Sequence, residues 1–263
     1  MTKPGNAVDP VLITFPPSLD SELGRFLLDH YGIQHQKRRH ALIFSFLVTL
    51  WRGWTVIFPL LYSSSYKLAG PRPMAEYFDK RCQQNRQLWP QEEDQKRQVE
   101  SDWNLFNNAL AFATAKFAYH HLLPHRDLMI RPLTLGTPDF ERKTVEFAYP
   151  VFAGLLRLLL GLSASKAEQC LDQARKIFDA VDARLAGKRK YLVGDRLTLS
   201  DLAFAVAAAP VVLPAGYGGP MPSFEQMPPA VQSVVNEMRP RPAGAFALKI
   251  YEQQRNRSGS KFE

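Results

Sequence analysis

The sequence predicts two structural parts, a small α/β unit at the N-terminus and an all-helical domain behind it. Strand-like and helix-like segments alternate over the first eighty-odd residues. A polar, proline-bearing stretch, LWPQEEDQKRQ, then interrupts the pattern at residues 88–98. Beyond it, apolar residues recur at the three- and four-residue steps of amphipathic helices. We therefore divide the chain into an α/β domain at 1–86, a linker at 87–98 and a helical domain at 99–263.

The first elements follow from local signals. VLITF at 11–15 is rich in β-branched residues and runs into Pro16-Pro17, which predicts a strand ended by a rigid turn. Ser18 then occupies the N-cap position of a helix that Gly32 ends. An edge strand is expected in QHQKRRHAL, and a short helix from about Arg72.

Residues 41–62, ALIFSFLVTLWRGWTVIFPLLY, approach the length of a membrane span. Arg52 lies at the centre of this stretch, where an arginine costs about 2.5 to 3.5 kcal/mol on insertion, so no transmembrane segment is expected. The stretch instead predicts a short apolar element up to Trp51, a turn, and a buried strand WTVIF that ends at Pro59. Peripheral contact with a membrane stays open as an alternative.

The helical domain contains two long apolar patterns. Trp103, Phe106 and Phe117 belong to one amphipathic helix, and residues 145–162 form a second, which Pro150 is expected to bend. The segment Ser165-Lys166-Ala167-Glu168 has the form of a capping box and predicts the start of a third helix.

The firmest helix start lies in KYLVGDRLTLSDLAFAVAAAP at 190–210. Thr198 and Asp201 have the capping-box spacing, and Leu197 can pack on Leu202 as a hydrophobic staple. The small apolar residues that follow predict a helix buried on nearly all sides, ending at Pro210.

Composition excludes several classes of protein. The net charge is +8, but the basic residues are scattered and are not interleaved with aromatics, so no nucleic-acid partner is expected. A positive field would instead favour small anionic ligands. Cys82 and Cys170 are far apart and fit a reducing compartment, and the N-terminus lacks an apolar signal segment, so a cytoplasmic location is expected.

Two further kinds of site are disfavoured. His120, His121 and His125 have no accompanying metal-binding carboxylate motif, and Pro124 interrupts their helix, so no metal is expected. A Ser/His/Asp hydrolase is disfavoured because no GxSxG segment is present.

Together these segments resemble the glutathione S-transferase superfamily over nearly the whole chain. The similarity is carried by YLVGDRLTLSDLAFA, by SLDSELGRFLLDHYGI, by a proline before a strand at Phe58-Pro59, and by RPRPAGAFALKIYEQQR near the C-terminus. The resemblance is to serine-type, bacterial members. It implies a thioredoxin-like N-terminal domain, an all-helical bundle behind it, glutathione as cosubstrate and a homodimer.

The resemblance also implies site residues. Ser18 matches the serine whose hydroxyl donates to the glutathione thiolate, with Ser21 as the fallback. Pro59 matches the family's cis-proline, which leaves the backbone of Phe58 free to pair with glutathione. An acceptor pocket for a small apolar electrophile is expected from aromatic residues of the helical domain, namely Trp103, Phe106 and Tyr119.

One departure from the family pattern divides the hypotheses. Gly70-Pro71 stands where the family has an acidic or amide residue and a serine that hold the γ-glutamyl end of glutathione. Lys67, Arg72 or a shifted Ser63 to Ser65 are the candidate substitutes. The chain is therefore either a glutathione transferase with an altered site or a non-catalytic binding protein that keeps the fold.

Overall fold

The computed structural model describes residues 9–187 and 189–258. Its strands are β1 Val11–Thr14, β2 Gln36–Arg39, β3 Leu60–Tyr62 and β4 Lys67–Ala69. Its N-terminal helices are α1 Leu19–Tyr31, α2 Leu42–Gly53 and α3 Pro71–Asp79. The helices that follow are α4 Glu93–Trp103, α5 Ala111–Leu122, α6 Arg126–Thr134, α7 Asp139–Phe147, α8 Tyr149–Leu160, α9 Ala164–Leu185, α10 Leu199–Val212, α11 Pro229–Met238 and α12 Pro242–Ser258.

The four strands form one mixed sheet in the order β2-β1-β3-β4. β1 pairs parallel with β2 and antiparallel with β3, and β3 pairs antiparallel with β4. All four residues of β1 are buried because this strand lies inside the sheet, whereas the polar β2 forms an edge. The predicted α/β unit and the strand at VLITF are confirmed.

The main core centres on α10, the helix that the capping box predicts. Thr198 and Asp201 make both reciprocal hydrogen bonds of the box, and every residue of α10 except Pro210 is buried. The prediction that Pro210 ends this helix is wrong, because the helix continues for two residues to Val212. At this position near the C-terminus, proline removes one helical hydrogen bond without ending the helix.

A second, smaller core joins α6, α7 and α8 to the N-terminal unit. Phe15 and Leu42 pack there with Val145, Phe152 and Leu156. The buried carboxylate of Glu141 holds the two parts together, since it accepts hydrogen bonds from His40 Nδ1 at 2.6 Å and from the amide of Ala41 at 2.8 Å. The start of α2 is thereby fixed to α7.

Two predictions about element boundaries are wrong. WTVIF is not a buried strand, because α2 runs to Gly53 and the strand begins only after Pro59, at Leu60. The side chains of Trp54, Val56 and Ile57 are mostly exposed. In addition, Ser163 rather than Ser165 caps α9, since its hydroxyl accepts from the amide of Lys166 at 3.2 Å.

The long apolar pattern at 145–162 is divided into two helices. α7 ends at Phe147 and α8 begins at Tyr149, with a break at Ala148, two residues before the proline expected to bend the segment. No described helix is by itself both long and apolar enough to cross a membrane, although α8 and α9, bent by 57° at their junction, satisfy that test as a pair.

The division at residues 86 and 99 stays a proposal. α4 begins at Glu93, so the second half of the expected linker is helical. α4 continues through a π-helical segment, Asn104–Leu110, into α5. The predicted helix face is retained along this path, because Trp103, Phe106 and Phe117 are all buried.

Candidate active site

The turn between β1 and α1 places a serine hydroxyl at the N-terminus of a buried helix. Ser18 has extended backbone geometry, and its hydroxyl accepts a hydrogen bond from the amide of Ser21 at 3.2 Å. The predicted N-cap is confirmed. A hydroxyl that accepts this bond keeps its own proton, so it can still donate to a ligand at the helix N-terminus.

Ser18 faces a cleft of about 360 Å³ that is lined mainly by apolar side chains. Leu42 and Phe46 of α2 lie on its wall, together with Phe58, and Leu159 of α8 closes another part. The polar groups in the cleft are few: Ser18, Asp20, Asn107, Lys116 and Tyr119. A concave apolar site with a few convergent polar groups is typical of a small-molecule site.

Phe58 and Pro59 lie beside this turn. The Phe58-Pro59 peptide bond is cis, the isomer that the resemblance implies. The ring of Phe58 packs edge-on against Phe15, with 5.9 Å between ring centroids. Gly24 allows Pro59 to pack closely on α1, because a Cβ at position 24 would lie 2.7 Å from Pro59 Cγ. Sequence analysis missed Gly24, since a glycine inside a helix gives no sign of what packs against it.

A loop of the helical domain holds the turn from the other side. The hydroxyl of Tyr217 donates to the carbonyl of Pro17 at 3.2 Å, and the amide of Gly218 donates to Glu22 Oε1 at 2.9 Å. A Cβ on Gly219 would lie 2.5 Å from the carbonyl oxygen of Pro16. The position of Ser18 is therefore fixed by both parts of the chain.

Two acidic residues in the first turn of α1 have different environments. Glu22 is fully buried and pairs with Arg25 at 2.8 Å, so its charge is compensated away from the cleft. Asp20 lines the cleft, where burial raises the pKa of its carboxyl to about 6, opposed by a hydrogen bond with Asn107. Asn107 belongs to the π-helical segment, and such segments are frequent at functional sites.

Tyr119 of α5 lies between two cavities. It lines the cleft beside Ser18 and also a smaller apolar cavity of about 70 Å³, which Met129 and Met221 help to enclose. Burial raises the pKa of the Tyr119 hydroxyl, so this group stays protonated at neutral pH.

The structure brings together only some of the predicted site residues. Ser18, Phe58 and Tyr119 all line the cleft. Trp103 and Phe106 do not, because the face of the helix that carries them is buried in the main core. Ser21, the alternative to Ser18 as donor to the thiolate, is fully buried. Its hydroxyl accepts a hydrogen bond from the amide of Phe15 at 3.3 Å.

The candidate substitutes for the γ-glutamyl site, Ser63 to Ser65 included, are also outside the cleft lining. Lys67 is exposed on β4. Arg72 is held by two carboxylates, Glu76 and Glu100, each at 2.8 Å. Its charge is therefore already neutralised within the chain.

The N-terminus of α3 has lost most of its hydrogen-bond donors. Gly70 precedes the helix at φ 85°, and its amide donates to the carbonyl of Pro59 at 2.8 Å. Pro71 and Pro73 carry no amide hydrogen. In the first turn of α3 only the amide of Arg72 is left for an anion, which weakens the usual use of a helix N-terminus as an anion site.

Comparison with known proteins agrees with this architecture. Residues 147–238 match the family model described as glutathione S-transferase, C-terminal domain. No curated protein sequence matches the chain.

Solved structures of similar fold cover nearly the whole chain. A glutathione S-transferase from Sinorhizobium meliloti 1021 is 19% identical, with a TM-score of 0.53 over 91% of this chain and 92% of that one. A beta-etherase from Sphingobium sp. strain SYK-6 is 14% identical, with a TM-score of 0.59 over 94% and 100%.

One of the similar structures was solved with glutathione (GSH) bound. A glutathione S-transferase from Methylobacillus flagellatus KT, solved with GSH bound, is 16% identical, with a TM-score of 0.52 over 90% of this chain and 98% of that one. Across its described residues the chain has the glutathione S-transferase fold, a thioredoxin-like N-terminal unit followed by an all-helical part, and its residues 147–238 match the C-terminal domain of that family.

Proposed function

We propose that the chain is a glutathione transferase in which Ser18 stabilises the glutathione thiolate for attack on a small apolar electrophile. The observation that carries the proposal is the position of the Ser18 hydroxyl, at the N-terminus of α1 and on the wall of an apolar cleft. This combination of a donor, a helix N-terminus and an apolar acceptor space is what thiol transfer needs.

Two effects of the site would lower the pKa of a bound thiol. The Ser18 hydroxyl donates a hydrogen bond to the thiolate, and the N-terminal end of α1 supplies partial positive charge. Both favour the charged form, which is the nucleophile. The ionised carboxylate of Asp20 opposes them, so the expected depression of the thiol pKa is moderate.

The acceptor side of the cleft favours an apolar substrate. Leu159, Phe46 and Phe112 line it, and the smaller cavity behind Tyr119 extends the apolar surface. An electrophile with an aromatic or branched apolar body fits such a lining through burial of its surface. The proton of the Tyr119 hydroxyl is available for a hydrogen bond to an oxygen on the substrate.

A second candidate function is supported by α3. Pro71, Pro73 and the paired Arg72 leave few groups for the γ-glutamyl end of glutathione. A chain that keeps the fold without binding glutathione would be a non-catalytic binding or interaction protein.

Dimer formation and a cytoplasmic location are expected for the transferase and stay part of the transferase proposal.

Glutathione binding and conjugation in the Ser18→Ala variant test the proposed function. We expect calorimetry to detect binding of glutathione to the wild type at millimolar concentration. We also expect the wild type to catalyse conjugation of glutathione to a generic aromatic electrophile. Ser18→Ala should lose at least tenfold in conjugation rate, because one hydrogen bond to a charged group is worth about 1.5 to 3 kcal/mol.

Ser163→Ala is the matched control. Ser163 caps α9 through a hydrogen bond of the same length, 3.2 Å, but lies outside the cleft. Both variants should lose about 1 kcal/mol of stability from the missing cap, and only Ser18→Ala should lose activity. Absence of glutathione binding in the wild type would instead favour the non-catalytic alternative.

A further inference from the structure

Helix α2 packs on the smaller core through Leu42 and Phe46, yet it also buries two hydroxyl side chains and exposes a row of large apolar ones. Ser45 and Thr49 face inward and are fully buried, and their hydroxyls donate to backbone carbonyls at 2.8 and 3.1 Å. Leu47, Leu50 and Trp51 face outward and are 48–70% exposed. In a water-facing helix the apolar stripe would be buried and the polar residues would face solvent.

A second exposed apolar face lies on α8. This helix buries Phe152 and Leu156, yet Val151, Leu158 and Leu159 are also mostly exposed. Exposed apolar patches on this scale mark a contact with another apolar phase or molecule. We define the apolar surface as the outward face of α2, the adjoining Trp54, and the exposed face of α8.

The apolar surface is continuous with the cleft. Leu42 and Phe46 of α2 line the cleft, and so do Leu159 and Leu160 of α8. Leu159 belongs to both, since it lines the cleft and is 60% exposed. The cleft therefore opens within the apolar surface.

The segments that carry this surface are rich in basic residues, which favours an anionic binding partner. Residues 30–75 contain six lysines and arginines and no aspartate or glutamate. Residues 147–167 contain Arg157 and Lys166 and again no acidic residue. The guanidinium of Arg52 lies 3.9 Å over the ring of Trp51, at the edge of the outward face of α2.

We propose that the apolar surface docks on an anionic lipid bilayer, with α2 and α8 in the interfacial plane. Apolar and tryptophan side chains flanked by basic residues are the composition that such a plane selects. A second copy of the chain fits less well, because it would bring the Arg52 and Arg157 side chains of two chains together, and Asp139 and Glu146 of the neighbouring α7 already pair with Arg142.

Docking would place the mouth of the cleft at the bilayer. An apolar electrophile dissolved in the lipid then enters the cleft without crossing water. Only this last step rests on the proposed transferase activity, because lipid binding itself is measured without glutathione.

Vesicle binding of the full chain tests the docking. We expect the wild type to sediment with vesicles of equal parts phosphatidylglycerol and phosphatidylcholine, and weakly or not at all with phosphatidylcholine alone. Tryptophan emission should shift to shorter wavelength on binding, since Trp51 and Trp54 are 70% and 86% exposed before it.

Variants separate the charge from the apolar contribution. Arg52→Gln and Arg157→Gln should each weaken partitioning onto the anionic vesicles about fivefold, and molar salt should remove that difference. Arg97→Gln is the control, because Arg97 is exposed on α4, within an acidic helix. The double variant Trp51→Gln, Leu158→Gln changes only exposed positions and should abolish binding while unfolding at nearly the wild-type temperature.

Two results would overturn the proposal. One is the absence of wild-type binding to anionic vesicles at low salt. The other is a dimer in sedimentation velocity that the double variant dissociates, which would assign the apolar surface to a second copy of the chain.

Discussion

The carboxylate of Asp20 lies in the cleft beside Ser18, where its negative charge opposes thiolate formation. Burial raises its pKa from 3.8 to about 6. Between these two pH values the folded state binds more protons than the unfolded state, so the contribution of Asp20 lowers the free energy of unfolding as pH rises.

Asp20→Asn should therefore be more stable than the wild type at pH 7, by about 1 to 2 kcal/mol, with no advantage below pH 4. Urea unfolding across pH 4–7 measures this difference. Asp127→Asn, at a carboxylate 98% exposed and outside the cleft, is the control variant. A stability difference that does not change with pH would contradict the assigned environment of Asp20.

At the scale of single elements, the box at the start of α10 has the largest expected effect. Asp201 is fully buried and accepts hydrogen bonds from the amide of Leu192 at 2.8 Å and from the amide and hydroxyl of Thr198 at 2.7 and 2.9 Å. Its carboxylate therefore fixes both the helix start and the preceding loop.

Asp201→Ala should cost about 3 kcal/mol or more, because it leaves two buried amides without acceptors. Chemical denaturation measures the loss. Gln226→Ala removes the equivalent partner from an exposed capping box at Ser223 and should cost less than about 1 kcal/mol. Equal losses in the free energy of unfolding of the two variants would show that burial of the capping box does not determine how much stability is lost.

Sequence patterns predicted elements well where local chemistry determined them. The hydroxyls of Ser18 and Thr198 cap their helices as expected, because capping depends on residues within one turn. WTVIF was misassigned because its apolar, β-branched composition is typical of a buried strand, whereas tertiary structure leaves it exposed. Burial is decided by distant packing, which no local pattern contains.

The candidate site shows the same division. Ser18, Phe58 and Tyr119 reach the cleft, whereas Trp103 and Phe106 are buried in the core. An aromatic residue that lines the cleft and one that packs in the core have the same spacing along a helix, so the sequence pattern does not distinguish them. Which face of α5 meets the cleft depends on how α8 and α10 pack around it.

At the scale of the whole molecule, Glu141 connects α7 to the start of α2. Glu141→Ala would leave His40 Nδ1 and the amide of Ala41 without this acceptor, at a cost of about 2 to 4 kcal/mol. Because α8 lines the cleft, we also expect KM for the electrophile to rise severalfold, with KM for glutathione little changed.

Steady-state kinetics together with urea unfolding measure both effects. Glu146→Ala is the control on the same helix, since Glu146 makes a more exposed ion pair with Arg142 at 2.9 Å and should lose less than about 1 kcal/mol. Unchanged electrophile KM in Glu141→Ala would mean that the docking of α7 does not shape the cleft.

The most direct test of the proposed function is the thiol pKa of bound glutathione, titrated by thiolate absorbance in the wild type, Ser18→Ala and Ser163→Ala. We predict that binding to the wild type or to Ser163→Ala lowers the pKa of the glutathione thiol from about 8.5 towards 7. In Ser18→Ala the thiol pKa should be higher than in the wild type by about one unit or more. An equal thiol pKa in all three proteins would contradict the assignment of Ser18 to the sulfur.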